Sequence, residues 1–170
     1  MQIQSGSKLK GKTNSEPIQV LIGLGSNLNP ENNISEALHL LGTYVAIRNC
    51  SSVYQSQAVG STGPDYHNSA VLIETDSTLE LLRKNILSPI ENQLDRIRSA
   101  DKYMDRTIDL DVLIYNQSVT DPELWTQVHV AVPAAEILPD FINPETGEKI
   151  SQAAKRLLPG NNIQLRSDLP

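Results

Sequence analysis

Residues 106–115, RTIDLDVLIY, set two aspartates, Asp109 and Asp111, into an otherwise apolar run. Alternate side chains of a strand share a face, so the two carboxylates point one way while Leu110, Val112 and Ile114 point the other. Carboxylates held this close raise one another's pKa unless a cation or hydrogen-bond donors lie between them. The segment just before supplies cations: Arg96, Arg98, Lys102 and Arg106 fall within eleven residues. A carboxylate pair beside clustered guanidiniums suits a metal–polyphosphate complex. Magnesium takes carboxylate oxygens, keeps several waters and is commonly held by one or two carboxylates plus substrate phosphates. Two such ions would bridge the phosphate chain while arginines neutralise the transferring group. Asp-x-Asp alone also fits a surface strand with solvated aspartates and a salt-bridged loop.

The elements that must position these residues follow from the apolar pattern. IQVLIGLGSN (18–27) reads as a strand entering a turn at Gly23, Gly25, Ser26 and Asn27. Pro30 opens a helix with Ile34, Ala37, Leu38 and Leu41 at helical spacing and Gly42 as its stop. Residues 44–56 form a second, bent strand, 58–68 a glycine-rich loop and 67–75 a third strand. Residues 77–97 carry Leu79, Leu82, Ile86, Ile90, Leu94 and Ile97 on one helical stripe, with Pro89 as a kink or break. A charged loop (98–105) leads into the aspartate strand, and 116–125 turns the chain. The proline-rich remainder predicts at most short elements, then a last short helix over 151–162. The order β, α, β, β, α, β predicts an α+β fold, a ferredoxin-like sandwich with helices packed on a mainly antiparallel sheet. Residues 1–17 read as a flexible tail and 18–170 as one domain.

Composition narrows the partners. The 170 residues, 39% hydrophobic, suffice for one globular core. A net charge of −6, from 14 basic and 20 acidic residues, argues against nucleic acid and for a small-molecule partner. Cys50 is the only cysteine, which excludes an intrachain disulfide or a cysteine-based zinc site and suits a reducing cytoplasm. No apolar run approaches the roughly 20 residues of a membrane span, and the polar N-terminus resembles neither signal peptide nor anchor. A monomeric cytoplasmic protein is expected. His39 and His67 read as structural or exposed, and Lys155-Arg156 as a helix cap.

The longer string IENQLDRIRSADKYMDRTIDLDVLIY (90–115) resembles the signature of the 6-hydroxymethyl-7,8-dihydropterin pyrophosphokinase family. There a helix ending in Glu leads into a loop with Arg-x-Arg, an aromatic residue and Arg-Thr-x-Asp-x-Asp. Glu91, Arg96, Arg98, Tyr103, Arg106, Thr107, Asp109 and Asp111 match at the family's spacing. GLGSN (23–27) is similar to its opening strand and turn, and SSVYQSQAVGSTGPDYHNSAV (51–71) to its second strand, pterin loop and third strand. The resemblance spans about residues 18–129. It implies an ATP-dependent diphosphokinase of folate biosynthesis that moves diphosphate onto the pterin hydroxymethyl group and releases AMP. By the same resemblance Arg96, Arg106, Asp109 and Asp111 are catalytic, and Asp109 and Asp111 hold two Mg2+ with ATP. Ser56, Val59, Tyr66, Asn68 and Tyr103 bind the pterin, and Glu91, Arg98, Val112 and His129 the ATP. The loop from Asp95 to Asp105 closes over the nucleotide and excludes water.

Beyond residue 129 the chain departs from the family, which continues with Pro-His, an arginine and a second aromatic that closes the pterin sandwich. Here TQVHVAVPAAEILPDF (126–141) keeps His129 but lacks the stretch for the arginine and the ring. From Thr107 to Glu148 there is no Lys or Arg against eight Asp or Glu. A lost hydrogen bond to a charged group is worth about 1.5–3 kcal/mol, or about one to two decades of nucleotide affinity. Phe141 or Trp125 could supply a replacement ring, although Trp125 also reads as plain core. Gln57 stands where the family commonly has proline, and Tyr103 where it often has tryptophan. Two alternatives stay open: a pyrophosphokinase for a different pterin, and a non-catalytic pterin- or nucleotide-binding relative.

Overall fold

Ile18–Ser26 form strand β1 at the centre of the molecule, where alternation sends Val20, Ile22 and Leu24 to one core and Leu21 to another. In the computed structural model, which describes residues 16–58, 63–97 and 105–167, β1 pairs antiparallel with β4 (Tyr66–Thr75) and β5 (Asp109–Tyr115). Val59, Arg98 and Tyr103, with residues 1–15 of the expected tail, lie outside the described residues. The bent strand expected over 44–56 is two strands, β2 (Ala46–Cys50) and β3 (Val53–Ser56), both paired with β4. Ser51 spans the break by donating its N–H to Ala70 O at 2.9 Å, while its Oγ accepts from Ala70 N at 2.8 Å. Short strands β6 (Ser118–Val119) and β7 (Ile163–Arg166) complete a seven-stranded sheet, ordered β6-β5-β1-β4-β3-β7, with β2 also on β4. Every pairing is antiparallel.

Helices cover both faces. Against one lie α1 (Pro30–Tyr44) and the stripe expected over 77–97. That stripe is interrupted: α2 (Leu79–Leu82), a π turn (Arg83–Leu87) and α3 (Ser88–Gln93) run end to end. Pro89 lacks an N–H, and the wider turn before it lets Ser88 N reach back to Arg83 O. Against the other face lie α4 (Val128–Ile137), α5 (Ile150–Leu157) and a 3-10 turn (Pro122–Trp125). The ten-residue α4 corrects the expectation of only short elements there, for Pro133 sits inside it and its apolar residues pack on the sheet. Trp125 stacks on Phe141 at 6.5 Å within this second core, so neither ring is among those lining the cleft described below.

Candidate active site

The two aspartates face α4 across a cleft of about 360 Å³ because of where β5 lies. Asp109 and Asp111 point to the cleft side, with Leu113 beyond them, while Leu110 and Val112 enter the first core. A bulge at Leu113, where Leu21 pairs with Ile114 but Ile22 with Val112, then reverses the alternation. Ile114 therefore packs with Leu113 in the second core rather than on the side of Leu110 and Val112. The bulge adds a buried apolar floor directly beyond the carboxylates.

Both oxygens of Asp109 already carry guanidinium donors. Arg96 donates through Nε at 3.0 Å and Nη2 at 2.6 Å to Oδ1, and Arg106 donates through Nη1 to Oδ2. Asp111 has no such compensation. Burial, followed by the charges of Asp109, Asp121 and Glu91 and opposed by Arg106, pushes its carboxyl up to about 7. Water still reaches it through the cleft mouth, although protein crowds its other sides.

The end of β1 anchors this arrangement. Asn27, buried, accepts from Arg106 N at 2.7 Å through Oδ1 and donates through Nδ2 to Asp105 Oδ1 at 2.7 Å and Pro64 O at 3.3 Å. Its own N–H donates to Arg106 O at 3.0 Å, and Ser26 Oγ donates to Thr107 O at 2.5 Å. The residues read as a turn thus join the ends of two loops, those at Pro64 and Asp105. Gly23 and Gly25, also expected in the turn, are inside β1 and pave the cleft, opposite Asp111 and Asp109 on one side and Ala70 and Asn68 on the other. A Cβ on Gly25 would stand 3.5 Å from Asn68 Oδ1 and 4.0 Å from the Tyr66 ring.

Ser56, Tyr66 and Asn68 share the same cleft, Asn68 Nδ2 donating to Ser56 Oγ at 2.9 Å. Burial pushes the Tyr66 phenol up. The opposite wall holds Asp121, Glu123, Gln127 and His129, none of which except His129 was singled out from sequence. The acidic, cation-free stretch after Thr107 was the available signal, but not its position. Burial lowers the His129 pKa and keeps its ring neutral at pH 7. The α4 wall is fastened to β3 through Glu136, which accepts from Ser52 N at 2.6 Å and Tyr54 Oη at 2.7 Å.

Two residues expected beside the nucleotide are not among those lining the cleft. Val112 is buried in the first core, since alternation puts it opposite Asp111. Glu91 is buried beneath β5, where Oε1 accepts from Leu110 N at 3.0 Å and lies 3.6 Å from Arg96 Nε. It fixes α3 against the aspartate strand and helps to hold Arg96.

The residues present fit a divalent cation. Among the described residues no group of three or more His, Cys, Asp or Glu side chains is placed to hold a metal ion, and Asp109 and Asp111 are two of the carboxylates that line the cleft. The excess negative charge on Asp111 is what a bound cation would relieve.

An α+β sandwich with paired carboxylates and the Arg106 guanidinium in one cleft, and Arg96 held on Asp109 though not among the residues lining that cleft, has the makings of a phosphoryl-transfer protein. The family model described as 7,8-dihydro-6-hydroxymethylpterin-pyrophosphokinase (HPPK) matches residues 21–139, and the chain belongs to that family. It is 34% identical over 161 residues to the 2-amino-4-hydroxy-6-hydroxymethyldihydropteridine pyrophosphokinase of Haemophilus influenzae, covering 87% of this chain and 98% of the relative. The protein of the same name from Synechocystis sp. is 32% identical over 148 residues, covering 81% of this chain and 75% of the relative. The fold is similar to a crystal structure of wild-type Plasmodium falciparum HPPK-DHPS, with a TM-score of 0.66 at 12% identity over 85% of this chain. This chain spans 42% of that longer one.

Proposed function

We propose that the cleft moves the terminal diphosphate of ATP onto the hydroxymethyl oxygen of 6-hydroxymethyl-7,8-dihydropterin and releases AMP, a step of folate biosynthesis. The observation that carries this reading is the union in one cleft of Asp109, Asp111 and Arg106 with Ser56, Tyr66 and Asn68. The pyrophosphokinase names of the curated relatives support it. The pterin oxygen forms its bond to the β-phosphorus as the bond from that phosphorus to the oxygen shared with the α-phosphate breaks; AMP leaves with that oxygen and the bonding pair, and the hydroxyl proton passes to solvent water. No covalent enzyme intermediate is needed, so the rate rests on positioning and charge stabilisation.

In this reading the Tyr66 ring offers a face to the flat pterin, while Asn68 and Ser56 supply donors and acceptors for its amide edge. Tyr103 and the backbone at Val59 are assigned to the same pocket, and Arg98 to organising the nucleotide loop. Arg96 and Arg106, resting on Asp109 without ligand, turn to the transferred group when phosphate arrives. Asp109 and Asp111 are the residues that would hold Mg2+, two ions in all, which supply charge withdrawal from the phosphates. Neutral His129 and Gln127 form the nucleotide-side wall. No described helix is long and apolar enough to cross a membrane; a cytoplasmic, monomeric enzyme without a nucleic-acid partner completes the reading.

The test is incubation of the protein with ATP, Mg2+ and 6-hydroxymethyl-7,8-dihydropterin, resolving AMP from ADP. Pterin-dependent AMP together with pterin diphosphate is expected. A folded protein that yields no pterin-dependent AMP refutes the reading.

A further inference from the structure

On the reverse face of the sheet, beneath Ser56, Tyr66 and Asn68, a guanidinium from the last strand joins four elements. Arg166 of β7 donates through Nη1 to Gln55 Oε1 of β3 at 3.0 Å and to His67 Nε2 of β4 at 2.9 Å. Its Nη2 donates to Glu31 Oε1 of α1 at 3.3 Å. Arginine can only donate, so His67 Nε2 is the acceptor and the ring proton sits on Nδ1. Gln55 carries the link onward, its Nε2 donating to Asp65 Oδ2 at 2.7 Å. His67 is buried, with 5% of its surface exposed, Arg166 and Gln55 are half-buried, and Glu31 and Asp65 are exposed, so the junction runs from a buried ring out to the surface.

Strand alternation makes the junction bear on the cleft. Gln55 precedes Ser56, Asp65 precedes Tyr66, and His67 lies between Tyr66 and Asn68. Each cleft-facing side chain therefore has an immediate neighbour fixed from below. The register of β7 on β3, with Arg166 opposite Val53 and Ile163 opposite Ser56, brings the guanidinium to this place. One planar fork serves acceptors on three other elements, which a lysine ammonium on its single nitrogen does not reproduce. The strand that carries it lies outside residues 21–139 matched by the family model.

We propose that Arg166 is a positioning residue for the acceptor substrate: through Gln55, His67 and Asp65 it fixes where Ser56, Tyr66 and Asn68 stand, without touching the acceptor itself. The proposal rests on the pterin reading given above. Its effect falls mainly on one substrate, because Gln55, His67 and Glu31 lie on β3, β4 and α1 whereas Asp109 and Asp111 lie on β5 and Arg96 and Glu91 support them from the α3 side; the two sides meet through the pairing of β1 with β4 and the Asn27 link to Pro64.

Two variants, Arg166→Met and Gln55→Leu, test it. Gln55→Leu cuts the relay to Asp65 while leaving the main-chain pairing of β7 and the other partners of Arg166 in place, so it carries the test if Arg166→Met fails to fold. Expected is a rise of about tenfold in KM for 6-hydroxymethyl-7,8-dihydropterin, about 1.4 kcal/mol, with KM for ATP and kcat within about twofold of the parent. Hydrogen exchange supplies a readout that needs no turnover: amides of Asp65–Asn68 should exchange faster while those of β5 are unchanged. Parallel shifts in both KM values and kcat, or unaltered exchange at Asp65–Asn68, overturn the proposal. If the parent protein makes no AMP, the pterin reading fails and the exchange measurement still decides whether Arg166 positions this segment.

Discussion

Replacing Asp111 by Asn should stabilise the metal-free protein while abolishing its activity. The carboxyl stands near 7 in the folded chain against an ordinary value of 3.8, a rise caused by burial and then by Asp109, Asp121 and Glu91. Three units would correspond to about 4 kcal/mol for a fully desolvated group. Asp111 is open to water at the cleft mouth, and solvent screening reduces this to about 1–2 kcal/mol. For a domain of this size that is a rise of about 3–6 °C in Tm.

The sign follows from linkage. Well below pH 3.8 the carboxyl is protonated in both folded and unfolded chains, and the variant and parent should melt together. As pH climbs towards 7 the unfolded chain releases its proton first, so the parent loses stability relative to the variant; above 7 the gap is constant. Thermal melts of both proteins from about pH 3 to 9 in chelator measure this. A Tm gap that does not vary with pH, or a less stable variant at pH 8, would refute the electrostatic account. Adding Mg2+ and ATP should reverse the order by stabilising the parent alone, and turnover by the variant should fall by at least about 10³-fold, in line with losing several kcal/mol of charge stabilisation.

Asn27→Ala removes hydrogen bonds to Arg106 N, Asp105 and Pro64; a loss of about 2–3 kcal/mol is expected, seen as a Tm lower by about 5–10 °C, with kcat reduced further than KM. Gly25→Ala should leave Tm nearly unchanged, because its Cβ meets Asn68 Oδ1 at an ordinary 3.5 Å, yet raise KM for the pterin several-fold by shallowing the cleft. Without Mg2+, binding of a non-hydrolysable ATP analogue should weaken by at least about 10²-fold in calorimetric titration, since an uncompensated pair of charges near 4 Å costs about 4 kcal/mol at a surface-like dielectric.

The sheet and its chemistry were legible where a local pattern decided them. Asp109 and Asp111 on one face of a strand, the helix opened by Pro30 and the stripe from Leu79 to Leu94 each needed only periodicity, whereas Ile97, expected on the same stripe, lies beyond α3 and is exposed. What failed had tertiary causes. The reversal at Leu113 depends on how β5 registers against β1, and no property of Leu113 itself announces a bulge. Glycine and serine at the end of β1 carry turn propensity, but pairing with both β4 and β5 holds Gly23 and Gly25 in extended structure. Helix α4 was hidden by Pro133, whose missing donor is offset by the packing of Ala131, Ala134 and Val130 on the sheet. The role of Arg166 needed a contact spanning 111 residues.

The cation-free stretch from Thr107 to Glu148 takes on meaning only through this fold. Its residues Asp121 and Glu123 do not lie on a remote surface; they line the cleft on the side facing Arg106 and the aspartate pair. Among the described residues of the site, Asp109, Asp111, Asp121 and Glu123 stand against Arg96 and Arg106, so carboxylates outnumber guanidiniums four to two. Both guanidiniums donate to Asp109, and Arg96 Nε also lies 3.6 Å from Glu91 Oε1. On the function proposed above, a polyphosphate that arrives with its metal ions would relieve Asp111 and free the arginines together. On that same proposed function, bound cations would then be a condition of nucleotide capture as well as of the chemical step, supplying the charge that a basic C-terminal wall would otherwise supply.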